Sequence, residues 1–248
     1  MMEKKRRIPP SAKIALWILA PLLLIAGVFG AKLWYEMGQM NPLPTGEAAP
    51  GVYAVRSGSA NFYLLKGDDG YLMIDAGTNQ QGIAIALQEL GISADDVRAI
   101  LLTHSDGDHT GALPLFPNAQ VYLPEQEVQM IDGTTSRFAF LGGNSLPMAY
   151  QTLADSETIE LAGLSVRCIL TPGHTPGSTC YLVGEQYLFT GDNLSLKDGK
   201  ADLFNTFFNM DDAVQRASLA MLAETANPAY IFTAHHGLSE DPAVAFGR

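Results

Sequence analysis

Cysteine is almost missing. Cys168 and Cys180 are the only two in 248 residues, too few for a disulfide framework, so the small stapled scaffolds are excluded. Both lie in strand-like runs flanking a histidine loop. There they read as buried thiols acting as small apolar side chains, with a single disulfide as the alternative. Internal repeats are missing as well: no period of about twenty to fifty residues recurs, which excludes solenoids and propellers. Charge is sparse at 17%, against an apolar share of 47%, the balance of a globular chain and not a disordered one. Positive charge is scarcest of all beyond the N-terminus. Residues 1–35 hold six Lys or Arg (Lys4, Lys5, Arg6, Arg7, Lys13, Lys32) and one acid, Glu3. The remainder keeps 9 basic and 25 acidic side chains, a net charge of −16. Such a body repels phosphate backbones, so nucleic acid is not an expected partner and a small-molecule substrate is.

One long apolar run is present. Ile14–Ala31 is 18 residues without a charge, preceded by Lys4-Lys5-Arg6-Arg7 and Lys13. About 17–25 apolar residues cross the roughly 30 Å of membrane hydrocarbon, and Pro21 is tolerated there. Trp17, Trp34 and Tyr35 fall near the two ends, where aromatic belts form. The basic cluster stays on the cytoplasmic side, which predicts a single-pass cell-membrane protein with its body outside the cytoplasm. The rival is a cleaved signal peptide with a cut after Val28-Phe29-Gly30, although no Ala-x-Ala motif occurs. Pro42, Pro44, Gly46 and Pro50 mark residues 36–50 as a linker. The expected organisation is therefore an anchor over 1–35, the linker, and a catalytic body over 51–248.

The body alternates strand and helix signals. Residues 51–56, 61–66 and 71–75 read as strands, and 80–90 has helical periodicity that stops at Gly91. The run 97–103 reads as a buried strand ending at His104, followed by a strand over 120–123 and a short helix over 125–131. In the second half, hairpins are expected around Ala162-Gly163 and Gly184-Glu185, a long amphipathic helix over 211–225, and a last strand over 230–233 ending at His235. Two strand-rich halves, each closed by helices, suggest sheets layered between helices.

All five histidines fall in loops after strands, where a scaffold presents reactive groups. His104 and His109 frame Asp106 and Asp108; His174 sits in Thr171-Pro172-Gly173-His174-Thr175-Pro176-Gly177; His235 and His236 follow the last strand. Asp75 and Asp192 also stand just after strands. Imidazole and carboxylate are ligands that zinc and similar divalent ions accept. Seven candidates, His104, Asp106, Asp108, His109, His174, Asp192 and His235, exceed one tetrahedral site and imply two metals, with Asp192 able to bridge them. Gly107, Gly111, Gly173 and Gly177 are expected to give the surrounding loops unusual backbone angles.

His104-x-Asp106-x-Asp108-His109, followed by His174, Asp192 and His235, resembles the His-x-His-x-Asp-His pattern of the metallo-β-lactamase superfamily. The sequences around His174 and Phe189-Thr190-Gly191-Asp192 match it too, over about residues 50–248. The resemblance implies an α/β (α+β) fold, the four-layer αββα sandwich, here preceded by a transmembrane helix. It implies one metal on His104, Asp106 and His174, a second on Asp108, His109 and His235, and Asp192 between them. His235 rather than His236 fits the last ligand position. Asp75 and His236 are expected to support the ligands from behind. Asp108 would act catalytically by orienting a metal-bound hydroxide for attack on an ester, thioester, lactone or amide carbonyl.

One departure stands out. Asp106 occupies a position where most relatives carry His. A carboxylate there adds negative charge and hardens the site, which favours iron or manganese or weakens the first zinc position; zinc remains the first expectation for the two ions, with iron or manganese as alternatives. It also keeps open a di-iron redox enzyme, an oxygen or nitric oxide reductase like the flavodiiron proteins, although their flavodoxin domain has no counterpart here. The third reading is a non-catalytic binding module displayed on the membrane. Residues 132–150, with Phe138, Phe140, Leu146 and Met148, and residues 203–210, with Phe204, Phe207 and Phe208, read either as apolar flaps over the site or as ordinary packing. No cluster of cations near the ligands is evident, which disfavours a strongly anionic substrate.

Overall fold

Strand β3, Ala60–Lys66, buries both of its faces. Successive side chains on a strand point to opposite sides: Tyr63 and Leu65 join one apolar cluster, Phe62 and Leu64 another. That alternation sets up layers. The structure, a computed structural model, describes residues 10–137 and 143–248.

The first sheet runs in chain order through β1 (Gly46–Ala49), β2 (Val52–Ser57), β3, β4 (Tyr71–Ile74), β5 (Val97–Leu101), β6 (Gln120–Pro124) and β7 (Tyr150–Leu153). Pairing is antiparallel from β1 to β4 and parallel from β4 to β7. The second sheet contains β8 (Thr158–Leu161), β9 (Leu164–Leu170), β10 (Thr179–Val183), β11 (Tyr187–Phe189), β14 (Tyr230–Phe232) and β15 (Leu238–Ser239). Its order is β15-β14-β11-β10-β9-β8, and β12 (Ser195–Lys197) with β13 (Lys200–Asp202) forms a separate ribbon.

Parallel neighbours require crossovers, and helices supply two of them. Helix α2 (Gln80–Leu90) links β4 to β5; α5 (Asp212–Thr225) links β11 to β14. Between these helices come two short ones, α3 (Gly107–Thr110) and α4 (Val128–Ile131), and α6 (Pro242–Phe246) follows β15. The α2 N-terminus is capped by Asn79, whose side chain accepts from Gly82 N, and Gly91 ends the helix in the left-handed conformation. Asp211 caps α5 by accepting from Ala213 N and Val214 N.

Three apolar clusters define the layers. Ala54, Tyr63, Ile74 and Leu101 meet Val166, Tyr181, Phe189 and Phe232 between the sheets. Ile83 and Leu87 of α2 cover the outer face of the first sheet. Leu222 of α5 and Ala245 of α6 cover the second. This is the αββα sandwich. Tyr63 donates to Thr233 O at 2.6 Å and Tyr181 donates to Leu102 O at 2.8 Å. Each buried phenol therefore ties a strand of one sheet to a strand end of the other, where the functional loops begin.

The two cysteines do not pair. Cys168 lies opposite Tyr181 and Cys180 opposite Ile169, so they sit one register step apart, on opposite faces of the sheet. Cys168 joins the central cluster and Cys180 the outer one. Burial pushes both thiols up to about 12, unreactive side chains in apolar surroundings.

The chain divides into a unit ending at Met40 and one beginning at Asn41. The first contains α1, Pro10–Gln39, whose Leu19–Gln39 portion has a mean hydropathy of 1.3 and is long and apolar enough to cross a membrane. Residues 36–50 carry more regular structure than a linker rich in proline and glycine suggests. They include the end of α1 and strand β1, which pairs with β2. The strand expected over 97–103 stops at Leu101 because a side chain, not a neighbouring strand, takes the Thr103 N–H. The strand over 230–232 is followed by β15 and so is not the last.

Candidate metal centre

Each loop of the centre leaves the end of a strand. Asp75 follows β4, His104 to His109 follow β5, His174 lies between β9 and β10, Asp192 follows β11 and His235 follows β14. Two groups of side chains result. In the first, Asp106 Oδ2 lies 3.4 Å from His104 Nε2 and 3.2 Å from His174 Nε2. In the second, Asp108 Oδ2 lies 3.8 Å from His109 Nε2 and 3.5 Å from His235 Nε2. Asp192 sits between them. Its Oδ2 faces His174 Nε2 at 3.5 Å, and its Oδ1 faces His109 and His235 Nε2 at 3.5 and 3.2 Å. All seven candidate ligands thus converge; His236 does not join them. It is half-buried, and burial, followed by the nearby charge of His235, pushes its pKa down to about 4.

The four converging imidazoles share one feature: Nδ1 is taken and Nε2 points inward. His109 Nδ1 meets Asp75 Oδ2 at 2.8 Å, and His235 Nδ1 meets Ser59 O at 2.8 Å. His174 Nδ1 meets Asn209 Oδ1 at 3.2 Å, and His104 Nδ1 meets Thr103 Oγ1 at 3.0 Å. Each of these partners can accept, which places the ring proton on Nδ1 and the lone pair on Nε2. His104 Nε2, His109 Nε2 and Asp192 Oδ1 are buried without a hydrogen-bond partner among the described residues. Buried polar atoms are costly to leave unpaired. Convergent lone pairs with their outer nitrogens anchored fit a divalent cation of the zinc type.

Two buried carboxylates hold the loops. Asp75, in the left-handed region at φ 59°, accepts from Thr103 N at 2.8 Å as well as from the Thr103 hydroxyl and His109. Glu127 is fully buried and accepts from Ser105 N (2.9 Å), Ser105 Oγ (2.6 Å), Thr175 Oγ1 (2.6 Å) and Gly177 N (3.1 Å). It thereby joins the His104 loop to the His174 loop. Of the four glycines expected at unusual angles, only Gly173 has a positive φ, 139°. Gly177 matters for space instead: a Cβ there would strike the Glu127 backbone.

The described part of segment 132–150 brings polar groups to the centre. Arg137 Nη1 donates to Asp106 Oδ2 at 2.6 Å, and Nη2 lies 3.1 Å from His174 Nε2. Asn144 Nδ2 donates to Ser105 Oγ at 2.8 Å and to Asp106 Oδ1 at 3.2 Å. Phe138 and Phe140 lie outside the described residues, while Leu146 and Met148 pack against the outer cluster of the first sheet. Phe204 is buried beside the centre, stacked on His235 at 5.3 Å between ring centroids and edge-on to His174 at 5.3 Å. Nothing in the sequence distinguishes Glu127 or Asn209 from surface residues. Arg137 carried one signal, its rarity as one of 9 cations in an acidic body.

The charges are coupled. Burial works to raise the Asp106 pKa, yet His104 and His174 outweigh it and hold the carboxyl well below its usual range. Asp192 is likewise held well down, with His235 and His109 overcoming burial. Burial works to lower His109, but Asp75, Asp192 and Asp108 raise it well above its ordinary value, and Asp192 raises His235. Burial lowers His174. These directions predict how stability of the metal-depleted protein varies with pH. Above an unfolded histidine pKa of about 6.5, the raised His109 and His235 still bind protons that the unfolded chain has lost, so stability falls as pH rises. Below it, the lowered His174 and His236 make the unfolded chain the better proton acceptor, so stability falls as pH drops. The depressed carboxylates add a further loss in acid. Urea unfolding of the chelator-treated full chain in mild detergent is expected to give a maximum near pH ~6.5; a continuous rise from there to pH ~9 would contradict the assignment.

A family model described as the metallo-beta-lactamase superfamily matches residues 55–235. The chain is similar to the uncharacterized protein YobT of Bacillus subtilis (strain 168), with 35% identity over 57% of this chain and 64% of that one. It is also similar to the probable polyketide biosynthesis zinc-dependent hydrolase PksB of the same organism, with 33% identity over 50% and 49%. An atrochrysone carboxyl ACP thioesterase from Aspergillus chevalieri is 27% identical over 68% of this chain and 56% of that one. The chain thus spans between 49% and 64% of the length of these curated relatives. Among solved structures, a metallo-beta-lactamase family protein from Thermus thermophilus superposes with a TM-score of 0.60 at 25% identity, covering 81% of this chain and 78% of that one. A metallo-beta-lactamase with a HARLDQ motif from Cronobacter sakazakii gives 0.61 at 25% identity, covering 77% and 80%. With its model matched across most of the described body, the chain belongs to the metallo-beta-lactamase superfamily.

Proposed function

We propose that the chain is a metal-dependent hydrolase of carbonyl esters and thioesters, with lactones and amides as further substrates. The observation that carries this reading is the convergence of carboxylates with four inward-facing Nε2 atoms, each imidazole backed by a partner at its Nδ1. Zinc is the favoured ion, and the names of the relatives, a zinc-dependent hydrolase and an acyl-carrier-protein thioesterase, support both zinc and an acyl substrate. When bound, such an ion lowers the pKa of water towards neutrality and polarises a substrate carbonyl.

The chain's own residues supply the rest. His104, Asp106 and His174 would hold one ion, Asp108, His109 and His235 a second, and Asp192 would face both. Asp75 would keep His109 in the tautomer that presents Nε2. Asp108 has a 46% exposed side chain among buried neighbours, which leaves its carboxylate open to substrate and able to orient a nucleophilic water. Phe204 walls one side of the centre. With stoichiometric zinc, the purified full chain is expected to hydrolyse members of an ester, thioester, lactone and lactam panel and to lose activity on chelation. Asp108→Ala should lower kcat/KM by about a hundredfold or more. Turnover of nothing on the panel, or an unchanged Asp108→Ala enzyme, would sink the proposal; two irons per chain after anaerobic purification would favour the redox alternative.

The body is proposed to sit outside the cytoplasm on a single membrane span. The supporting features are the exposed apolar surface of α1, including Leu23, Leu24 and Ile25, and the basic residues that precede it in the sequence. The intact mass of the membrane-fraction protein is expected to include residues 1–30; a chain starting at Ala31 would mean a cleaved signal instead.

A further inference from the structure

The two halves of the centre are not equivalent. Around Asp108, His109 and His235, no side chain other than the cluster's own reaches the inward donor atoms among the described residues. Around Asp106, two of the three groups are already engaged, and His104 Nε2 alone has no hydrogen-bond partner among the described residues. Arg137 Nη1 lies 2.6 Å from Asp106 Oδ2, and Nη2 lies 3.1 Å from His174 Nε2 and 3.4 Å from His174 O. Asn144 takes the other oxygen, Oδ1. The His174 contact has a definite sense. Its Nδ1 faces the Asn209 amide oxygen, and the amide nitrogen of Asn209 is fixed by Gln215 Oε1 at 2.6 Å and Asp212 Oδ1 at 2.8 Å. The ring proton therefore sits on Nδ1, so Nε2 accepts from the guanidinium with the lone pair an ion would use. Arg137 and Asp106 are both mostly buried, at 16% and 15% side-chain exposure. The guanidinium carries a fixed positive charge in a planar fork suited to this pairing.

We propose that Arg137 acts as a built-in competitor for the first metal position, so that the chain fills its two positions unequally. The Asp108–His109–His235 position takes a divalent ion first. The His104–Asp106–His174 position takes one only by displacing the guanidinium from Asp106 and His174. An aspartate where a third imidazole is expected is what makes this possible, since a carboxylate forms an ion pair with the arginine while a neutral imidazole offers it only a hydrogen bond. The substitution and the arginine then form one device: the added negative charge of Asp106 is balanced by the chain's own cation. Once displaced, Arg137 would stand beside the centre with its charge unpaired, available to an anionic group on a substrate.

This inference rests on the reading of the cluster as a metal centre, and the experiment separates the two. The chelator-treated full chain in mild detergent is titrated with zinc, with binding followed by calorimetry and bound zinc counted by elemental analysis after dialysis. The wild type is expected to bind one equivalent tightly and a second about tenfold to a hundredfold more weakly, the range set by charge-assisted hydrogen bonds. Arg137→Ala and Arg137→Gln should both narrow that gap and retain close to two equivalents. The glutamine variant keeps much of the side-chain volume should the alanine variant fold poorly, and circular dichroism checks both. Two equivalents of equal affinity in the wild type, or variants that retain its gap, would overturn the competitor role while leaving the metal centre intact. Binding of no zinc by any of the three would overturn both.

Discussion

Everything at the centre depends on one constraint: each converging imidazole has its Nδ1 bound to the framework. Asp75, Ser59 O, Asn209 and Thr103 supply the four partners. They come from different parts of the fold, a strand end, a hairpin turn, the segment before α5 and the β5 exit. A histidine held this way presents a single lone pair in a single direction. The sandwich exists, for the purposes of function, to bring those four partners to one edge. The two buried tyrosines, Tyr63 and Tyr181, bind the sheets together at that edge, and Glu127 joins two of its loops. Convergence of so many donors is unfavourable by itself, since lone pairs and carboxylates repel when buried. The fold supplies the rigidity that holds them together, and a bound cation would relieve the repulsion.

The electrostatics of Asp106 follow from the same logic. A carboxylate in place of an imidazole adds a negative charge to a centre that already holds Asp108 and Asp192. Arg137 and Asn144, both from the segment between α4 and β7, each donate to that carboxylate. The charge that makes the site look harder in the sequence is therefore partly cancelled in the fold. This weakens the argument that Asp106 selects iron or manganese, because the oxygen that would harden the ion's surroundings is shared with a guanidinium.

Much of this was legible in the sequence, for physical reasons. Strands such as 61–66 and 164–170 announce themselves by apolar runs between turn residues, and helix 80–90 by its period and its Gly91 stop. The candidate ligands were legible because histidines and aspartates stand directly after strands, seven of them together. What stayed hidden was pairing that only the tertiary fold creates. Strands β1, β7, β12, β13 and β15 are two to four residues long and owe their form to neighbours. Glu127 and Asn209 look like surface residues until the chain closes around them. Arg137 is separated from Asp106 by 31 positions, and no local pattern connects the two. The cysteines were ambiguous because adjacency in the sheet is visible in a sequence while the face of the sheet is not.

The central claim is that imidazole nitrogens and carboxylate oxygens of this one edge form the metal's surroundings. X-ray absorption at the zinc edge, on the full chain loaded with one equivalent, tests it most directly. The account predicts nitrogen and oxygen neighbours at about 2.0–2.2 Å with the outer-ring scattering of two imidazoles, His109 and His235, and no sulfur. A sulfur neighbour at about 2.3 Å, or a shell without imidazole, would contradict it.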